Sequence, residues 1–510
     1  MRTKKAFYIM ISSLSYQLVY ALIGLILPRL FITVYGSAVN GLMLSIRQFL
    51  NFLNIVESGI GLTSITALLK PMAANDKDAA NGILSAAKLL YLRAGYILVS
   101  FIALLAIFYP FLITDQVSYQ IAFFLVLILG GNSFVDFFII GKYKVLLTAD
   151  QRVYVLTNIQ IIGLIANLIS YVILIKAGWD VLLVNGIATC FFASKSILLL
   201  AYVKKQYPNV SFKEKPDTEA LAQRWDVFIH QITGVIVFNT PVIIITIFLG
   251  LKEVSVFTTY NMVFSAITLL VTSFSSALFA GIGDLLVRGE KNRVIEVYNI
   301  FESVYYALIA WAFTTAYLLI LPFIKVYTHG VSDANYIRPE LAILFIAVGV
   351  ISNIRVPAYT LVNSAGHFKE TKYRALAEAV INLLASLILV QMFGTEGVLF
   401  GSICSYTFRT IDVLLYASRN ILNASLKPTI LKVLTNIFLS LVAALPIHWL
   451  LNIDPKNLFE WFVYAILLSI WNLIIIAVGN ILIDPKMSKS VLQRGRLVFG
   501  RKEAEEKLML

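Results

Sequence analysis

The 510-residue chain is short of most side chains that enzymes use for chemistry and that soluble domains use to face water. Cysteine occurs twice, at Cys190 and Cys404, in separate apolar runs. That excludes a disulfide framework, a CxxC redox pair and a thiolate zinc site, and leaves two small core residues as the plain expectation. The four histidines (His230, His329, His367, His448) stand singly, so no transition-metal site is expected. Charged residues make up 14% of the chain, against about 25% in soluble domains. No GxxxxGK[ST] run is present, which excludes a P-loop ATPase. The longest polar stretches are 204–225 and the tail from Pro485, too short for a nucleotide-binding or glycosyltransferase domain. No cofactor and no enzyme activity are expected.

What the chain has in excess is apolar length. Hydrophobic residues account for 59% and mean hydropathy is +0.84. Such a chain has too much apolar surface for one aqueous core, so lipid is its solvent. The run from Ala6 to about Thr33 is too long for a signal-peptide core and reads as a retained first helix. A spanning helix needs roughly 20 apolar residues with every backbone group bonded internally. That window places helices at 7–33, 40–69, 86–110, 118–147, 153–175, 181–203 and 226–250. A second set falls at 255–287, 296–327, 338–365, 374–393, 396–418, 429–451 and 459–484. The expected class is an all-α integral membrane protein of about fourteen spans.

The net charge of +13 follows the same topology. With the N-terminus inside, 31 of the 41 Lys and Arg residues flank inner loops and only five flank outer ones: Lys176, Lys252, Lys325, Arg338 and Lys456. This is a positive-inside bias, which puts both termini in the cytoplasm and needs no nucleic-acid partner.

An internal repeat sharpens the layout. Residues 143–202 carry Asn167-Leu168, Gly178, Gly186 and Tyr202; residues 359–416 carry Asn382-Leu383, Gly394, Gly401 and Tyr416, displaced by 214 to 216 positions. A weaker echo links Asn40 and Gly59-Ile60-Gly61 to Asn261 and Gly281-Ile282-Gly283. Six helices separate the copies, so the repeats are parallel. The expected organisation is an N-terminal lobe (1–203), a linker (204–225), a C-terminal lobe (226–418), two further helices (419–484) and a basic tail (485–510). Parallel repeats of this kind imply rocking of two lobes.

Polar and charged groups inside the spans cost about 2.5–3.5 kcal/mol at mid-depth, so each needs a cavity or a partner. In the second helix, Arg47, Asn51, Asn54 and Ser58 follow the i, i+4, i+7, i+11 spacing of one face, with Gln48 and Glu57 close by. That face either lines a cavity or bonds a neighbouring helix. Helix one adds Ser13, Gln17 and Tyr20, with Arg29 near its outer end; helix eight carries an uncharged stripe from Asn261 to Ser275. Arg355 stands near mid-depth in helix ten beside Tyr359; its fork suits a phosphate or carboxylate, or an internal pair with Asp136 or Glu57. Arg374 with Glu378, and Arg409 with Asp412, read as intrahelical structural pairs. Lys195 matches Arg409 under the repeat.

Asn40-Gly41-Leu42, Ser45-Ile46, Gln48-Phe49-Leu50, Glu57-Ser58-Gly59-Ile60-Gly61 and Ala67-Leu68-Leu69-Lys70-Pro71 together resemble the N-terminal signature of polysaccharide-repeat flippases. These belong to the multidrug/oligosaccharidyl-lipid/polysaccharide exporter superfamily. The resemblance implies a bacterial plasma-membrane protein that moves undecaprenyl-diphosphate-linked oligosaccharides to the outer leaflet for O-antigen, capsule or exopolysaccharide assembly. It implies lipid-linked oligosaccharide, membrane lipid, polysaccharide polymerase and chain-length proteins as partners. It also implies Arg47, Arg355 and Arg29 as phosphate or acidic-sugar contacts, and Asn51, Asn54, Tyr16, Tyr20 and Tyr359 as sugar contacts. Glu57 is then a coupling carboxylate or the ion-pair partner of Arg47.

The alternative is a cation-coupled drug or metabolite antiporter of the same architecture, which wants an acid deep in helix one or seven. Helix one has none, and Asp226 lies at the edge of helix seven. A membrane polymerase or ligase wants a long outer loop, and the longest, Lys325 to Glu340 with His329 and Arg338, is short.

Overall fold

The computed structural model describes residues 2–490 except 53, 75, 114–115, 218–224, 452 and 486–488. The described residues form helices and no strand: α1 (Arg2–Asn51), α2 (Asn54–Ala74), α3 (Lys77–Phe108), α4 (Tyr119–Val135), α5 (Gly141–Ala149), α6 (Val153–Lys176), α7 (Val181–Ala193), α8 (Lys195–Gln206) and α9 (Trp225–Phe248). There follow α10 (Leu251–Val287), α11 (Lys291–Tyr327), α12 (Pro339–Ile354), α13 (Val356–Ser364), α14 (Phe368–Tyr416), α15 (Lys427–Leu450) and α16 (Leu458–Ile483). Eleven described segments are long and apolar enough to cross a membrane, which makes this a multi-pass membrane protein. Their exposed surface is rich in Leu, Ile, Phe and Val, as lipid requires.

The two longest segments, Tyr8–Asn51 (44 residues) and Phe368–Leu422 (55 residues), are about twice what one crossing needs. Each breaks at a glycine in a positive-φ conformation that a side chain would strain: Gly36 (φ 84°) and Gly394 (φ 60°). Asp333 caps the arm that follows Gly36, accepting from the Ser37 N–H at 2.8 Å and its hydroxyl at 2.7 Å. Asp76, Asp180 and Asn457 cap α3, α7 and α16 in the same way.

Three expected helices are interrupted. A single π turn, Asp136–Ile140, separates α4 from α5; Ser194 separates α7 from α8; Arg355 separates α12 from α13. The expected second helix (40–69) also stops at Asn51 and restarts at Asn54. No proline or glycine stands there. Asparagine, which stands at the end of α1 and at the start of α2, is a weak helix former.

The chain divides into two compact units, Met1–Thr258 with Gly330–Ala334, and Thr259–His329 with Asn335–Leu510. In the first, α1 packs on α6, α6 on α7 and α2 on α3. Its core runs through Leu42, Ile46, Tyr91, Leu125 and Val184. Glycines allow close approach: a Cβ on Gly141 would lie 2.3 Å from the Tyr91 ring, and one on Gly95 would lie 2.6 Å from Phe138. In the second unit, α11 packs on α15 and α16, and α12 on α14. The rings of Phe264 and Phe345 stack there at 5.3 Å, and Gly349 leaves room for Phe313. Indole N–H groups fasten α16: Trp311 donates to the Ser469 carbonyl and Trp461 to that of Leu319.

Candidate functional site

The second unit holds a chain of charges buried within its helices. Arg355, at the α12–α13 break, pairs with Glu378 of α14 at 2.5 Å. Glu378 lies 3.5 Å from the Arg409 guanidinium, and Arg409 in turn pairs with Asp412 at 2.7 Å. Asp412 also takes Arg374. Three guanidiniums therefore share two carboxylates. Arg409 is 1% exposed, and its Nη2 has no hydrogen-bond partner among the described residues. Aromatic faces cover the cations: Tyr406 lies 4.8 Å from Arg355, Tyr359 lies 5.9 Å from Arg409, and Tyr416 lies 5.1 Å from Arg374. A buried charge that loses its partner costs about 3–5 kcal/mol, so this chain holds α14 to the break at Arg355.

The first unit carries a smaller set. Lys195, at the start of α8 and 3% exposed, pairs with Asp136 of the π turn at 3.0 Å and sits 3.7 Å from the Phe192 ring centroid. Lys144 pairs with Glu57 at 2.7 Å. Both Glu57 and Lys144 are within electrostatic reach of Asp136, as is Asp136 of Tyr16. Tyr16 stacks on the exposed Tyr20 at 6.0 Å.

Matching positions in the two units make matching contacts. Arg152 donates to the Tyr202 hydroxyl; 215 and 214 residues on, His367 meets the Tyr416 hydroxyl at 3.0 Å. Asn167 donates to the Ala188 carbonyl, and Asn382 to the hydroxyls of Ser402 and Ser405. The Cα of Gly163 faces the Lys195 side chain; at the same offsets, Glu378 faces Arg409. Gln151 (φ 56°) and Gly366 (φ 73°) turn the chain at equivalent points. Cys190 and Cys404 are a further pair at offset 214, and both are exposed rather than core residues. The expectation of two core residues is therefore corrected.

Several expected partners are different. Arg355 bonds Glu378, not Asp136 or Glu57, because the break in helix ten turns it toward α14. Arg374 reaches across to Asp412 on the second arm of α14 rather than to Glu378 on its own arm. Glu57 takes Lys144, not Arg47. Arg47 is exposed and lies beside the Tyr171 hydroxyl, which donates to Asn185 at 2.8 Å. The stripe from Arg47 to Ser58 does not share one helix, since α1 ends at Asn51 and α2 begins at Asn54. Asn51 is exposed at the end of α1; the side chains of Asn54 and Ser58 lie outside the described residues. Arg29 is half-buried, its carbonyl accepting from Thr33. The polar face that α1 does present inward bonds neighbouring helices: Asn40 to Ser255 at 2.7 Å, Ser45 to Thr246 at 2.7 Å, and Gln48 to Asn239.

One charged pair escaped the sequence reading. Glu302 of α11 is fully buried and accepts from Tyr298, Tyr306 and Thr429 while pairing with Lys432 of α15 at 2.9 Å. The signal was there: Tyr298, Glu302 and Tyr306 recur every four residues on one helix face.

No family model and no curated protein matches the chain. Solved structures do. The lipid II flippase MurJ in an inward closed conformation aligns with a TM-score of 0.66 at 13% identity, covering 94% of this chain and 99% of that one. A multidrug resistance MATE family transporter of the MOP superfamily, inward-facing, aligns with a TM-score of 0.62 at 14% identity over 80% and 94%. A MATE in the bent conformation gives 0.57 at 14% identity over 81% and 93%. At these identities the likeness is one of fold: this chain shares the helical fold of these MurJ and MATE structures.

Proposed function

We propose that this protein is a flippase that carries undecaprenyl-diphosphate-linked oligosaccharide repeat units from the inner to the outer leaflet of the bacterial plasma membrane, for surface polysaccharide assembly. On this reading about fourteen spans form two six-helix lobes, 1–203 and 226–418, joined by the linker 204–225. Helices 13 and 14 follow, both termini are cytoplasmic, and the lobes alternate access. The matched contacts of the two units support the repeat, and the MurJ-like fold supports a lipid-linked substrate.

The observation that carries the substrate class is the excess of guanidinium over carboxylate at Arg355, Glu378, Arg409, Asp412 and Arg374, with a buried Arg409 donor left over. A diphosphate supplies the missing negative charge, and arginine forks match its oxygens. In the resting chain Glu378 serves as the counter-ion that a diphosphate displaces from Arg355. Arg47, Arg29, Asn51, Asn54, Tyr16, Tyr20 and Tyr359 contribute to headgroup and sugar recognition, and polymerase and chain-length proteins receive the product.

The test is export in cells. Arg47→Ala and Arg355→Ala are each expected to stop surface polysaccharide while the protein still inserts; normal polysaccharide from both variants removes these residues from the mechanism. The second reading, a cation-coupled antiporter, rests on Asp136, a span carboxylate beside Tyr16 of helix one. Ion-driven drug efflux abolished by Asp136→Asn, with polysaccharide export intact, would favour it.

A further inference from the structure

Apart from the ion pairs, the described residues of the first unit include two cations held close to each other outside any of those salt bridges. Lys88 of α3 and Lys142 of α5 lie within electrostatic reach of each other. The first unit's ion pairs among the described residues use Lys5, Lys144, Arg152 and Lys195, and neither Lys88 nor Lys142 is among them. Both side chains are half-buried. Two like charges held together in a poorly solvated place repel each other unless an anion joins them.

The surroundings are built, not incidental. The segment after α8 lies along the start of α3: Ser211 N–H donates to the Asn81 side chain at 3.0 Å, and Asp217 N–H to the Gly82 carbonyl at 3.2 Å. This strap sets Phe212 over the two lysines. Lys88 donates to the Phe212 carbonyl at 3.4 Å, and the Lys142 ammonium lies 5.0 Å and 5.5 Å from the Tyr143 and Phe212 ring centroids. The two rings meet edge to face at 5.3 Å. Lys88 stands eleven residues into α3 and Lys142 seven residues before the end of α5, about 16 Å and 10 Å along their helices. Both helix ends belong to the side that the charge bias makes cytoplasmic. The lysines therefore sit near the depth of inner-leaflet phosphates.

We infer that Lys88 and Lys142, walled by Tyr143 and Phe212, form a capture site for the diphosphate of a lipid-linked substrate at the inner leaflet. The inference rests on the flippase reading and adds a station to it, separate from the arginines of the second unit. Lysine is a mobile point charge without a fixed fork, which suits a site that must hold a phosphate and then release it. The two rings offer an apolar wall to the first isoprene units, while the ammoniums bracket the diphosphate.

The test is calorimetric titration of the purified full chain in detergent with farnesyl diphosphate and, separately, with dioctanoyl phosphatidylglycerol. Lys88→Gln/Lys142→Gln is expected to weaken farnesyl diphosphate binding at least tenfold, with a smaller effect on phosphatidylglycerol. Lys88→Arg/Lys142→Arg is expected to bind farnesyl diphosphate as the wild type does. Wild-type farnesyl diphosphate affinity in the glutamine variant overturns the site. An equal loss for both lipids overturns the diphosphate assignment and marks a general anionic-lipid site. If the double variant does not fold, Lys142→Gln alone is titrated, and wild-type affinity there overturns the site as well. Export measurements keep the two proposals apart. Arg47 and Arg355 variants that export normally remove those arginines from the mechanism, while the titration still decides whether the lysines hold a diphosphate.

Discussion

Lys195 and Arg409 stand 214 residues apart, the spacing of the other matched contacts, and each is buried against a carboxylate from outside its own helix arm. Lys195 takes Asp136 from the π turn between α4 and α5, whereas Arg409 takes Glu378 from the helix arm that packs beside it. Where the second unit has Glu378, the first has Gly163, whose missing side chain makes room for the lysine stem. One unit thus balances its cation with a single acid, and the other with two acids and two further arginines.

Glu378 is the residue on which the second-unit chain depends. Glu378→Gln leaves Arg355 and Arg409 without their shared counter-ion and is expected to destabilise the protein by about 3–5 kcal/mol. Thermal unfolding in detergent checks this, and an unchanged midpoint would show that the pairs contribute nothing to stability.

Arg355 tests geometry apart from charge. Arg355→Lys keeps the positive charge but loses the planar fork. Surface polysaccharide is expected to fall at least tenfold relative to the wild type at equal protein level. Full export from the lysine variant would mean that charge alone serves.

Glu302 is held by three hydroxyls and Lys432 in a place with no exposure. Glu302→Gln is expected to cost about 3–5 kcal/mol, whereas Glu302→Leu/Lys432→Leu should recover part of that, since no unpaired charge then remains. A double variant less stable than the single one counts against this account.

Gly394 turns the chain between the two arms of α14 at φ 60°, ψ −134°. Gly394→Ala forces a Cβ into that conformation and is expected to cost about 1–3 kcal/mol. A lowered unfolding midpoint in detergent supports this, and a midpoint equal to wild type argues that the arm has another way to turn.

Sidedness is open to direct labelling. In a background with Cys190 and Cys404 replaced, Lys456→Cys is expected to react with an impermeant maleimide in intact cells, and Lys291→Cys only after lysis. Both positions are exposed. The opposite pattern inverts the topology and moves the lysine pair of the first unit to the outer leaflet.

Apolar length is a local and additive property, so the membrane class and the approximate helix positions could be read from hydropathy alone. Asn167 and Asn382, or Tyr202 and Tyr416, are likewise visible as spaced identities before any contact is known. The interruption at Ser194 and the end of α1 at Asn51 were not legible, because no proline or glycine marks them; at Arg355 the mark was present, since Pro357 stands in the first turn of α13. The ion-pair partners were still further out of reach. Which carboxylate meets Arg355 depends on which helix is its neighbour and how a break turns its side chain. That choice is made by packing across tens of residues, where Coulomb attraction falls with distance and favours whatever acid the fold brings within about 4 Å. The sequence by itself settled that buried cations needed partners; the tertiary structure alone decided that Arg355 has Glu378, Lys195 has Asp136, and Lys88 and Lys142 have each other.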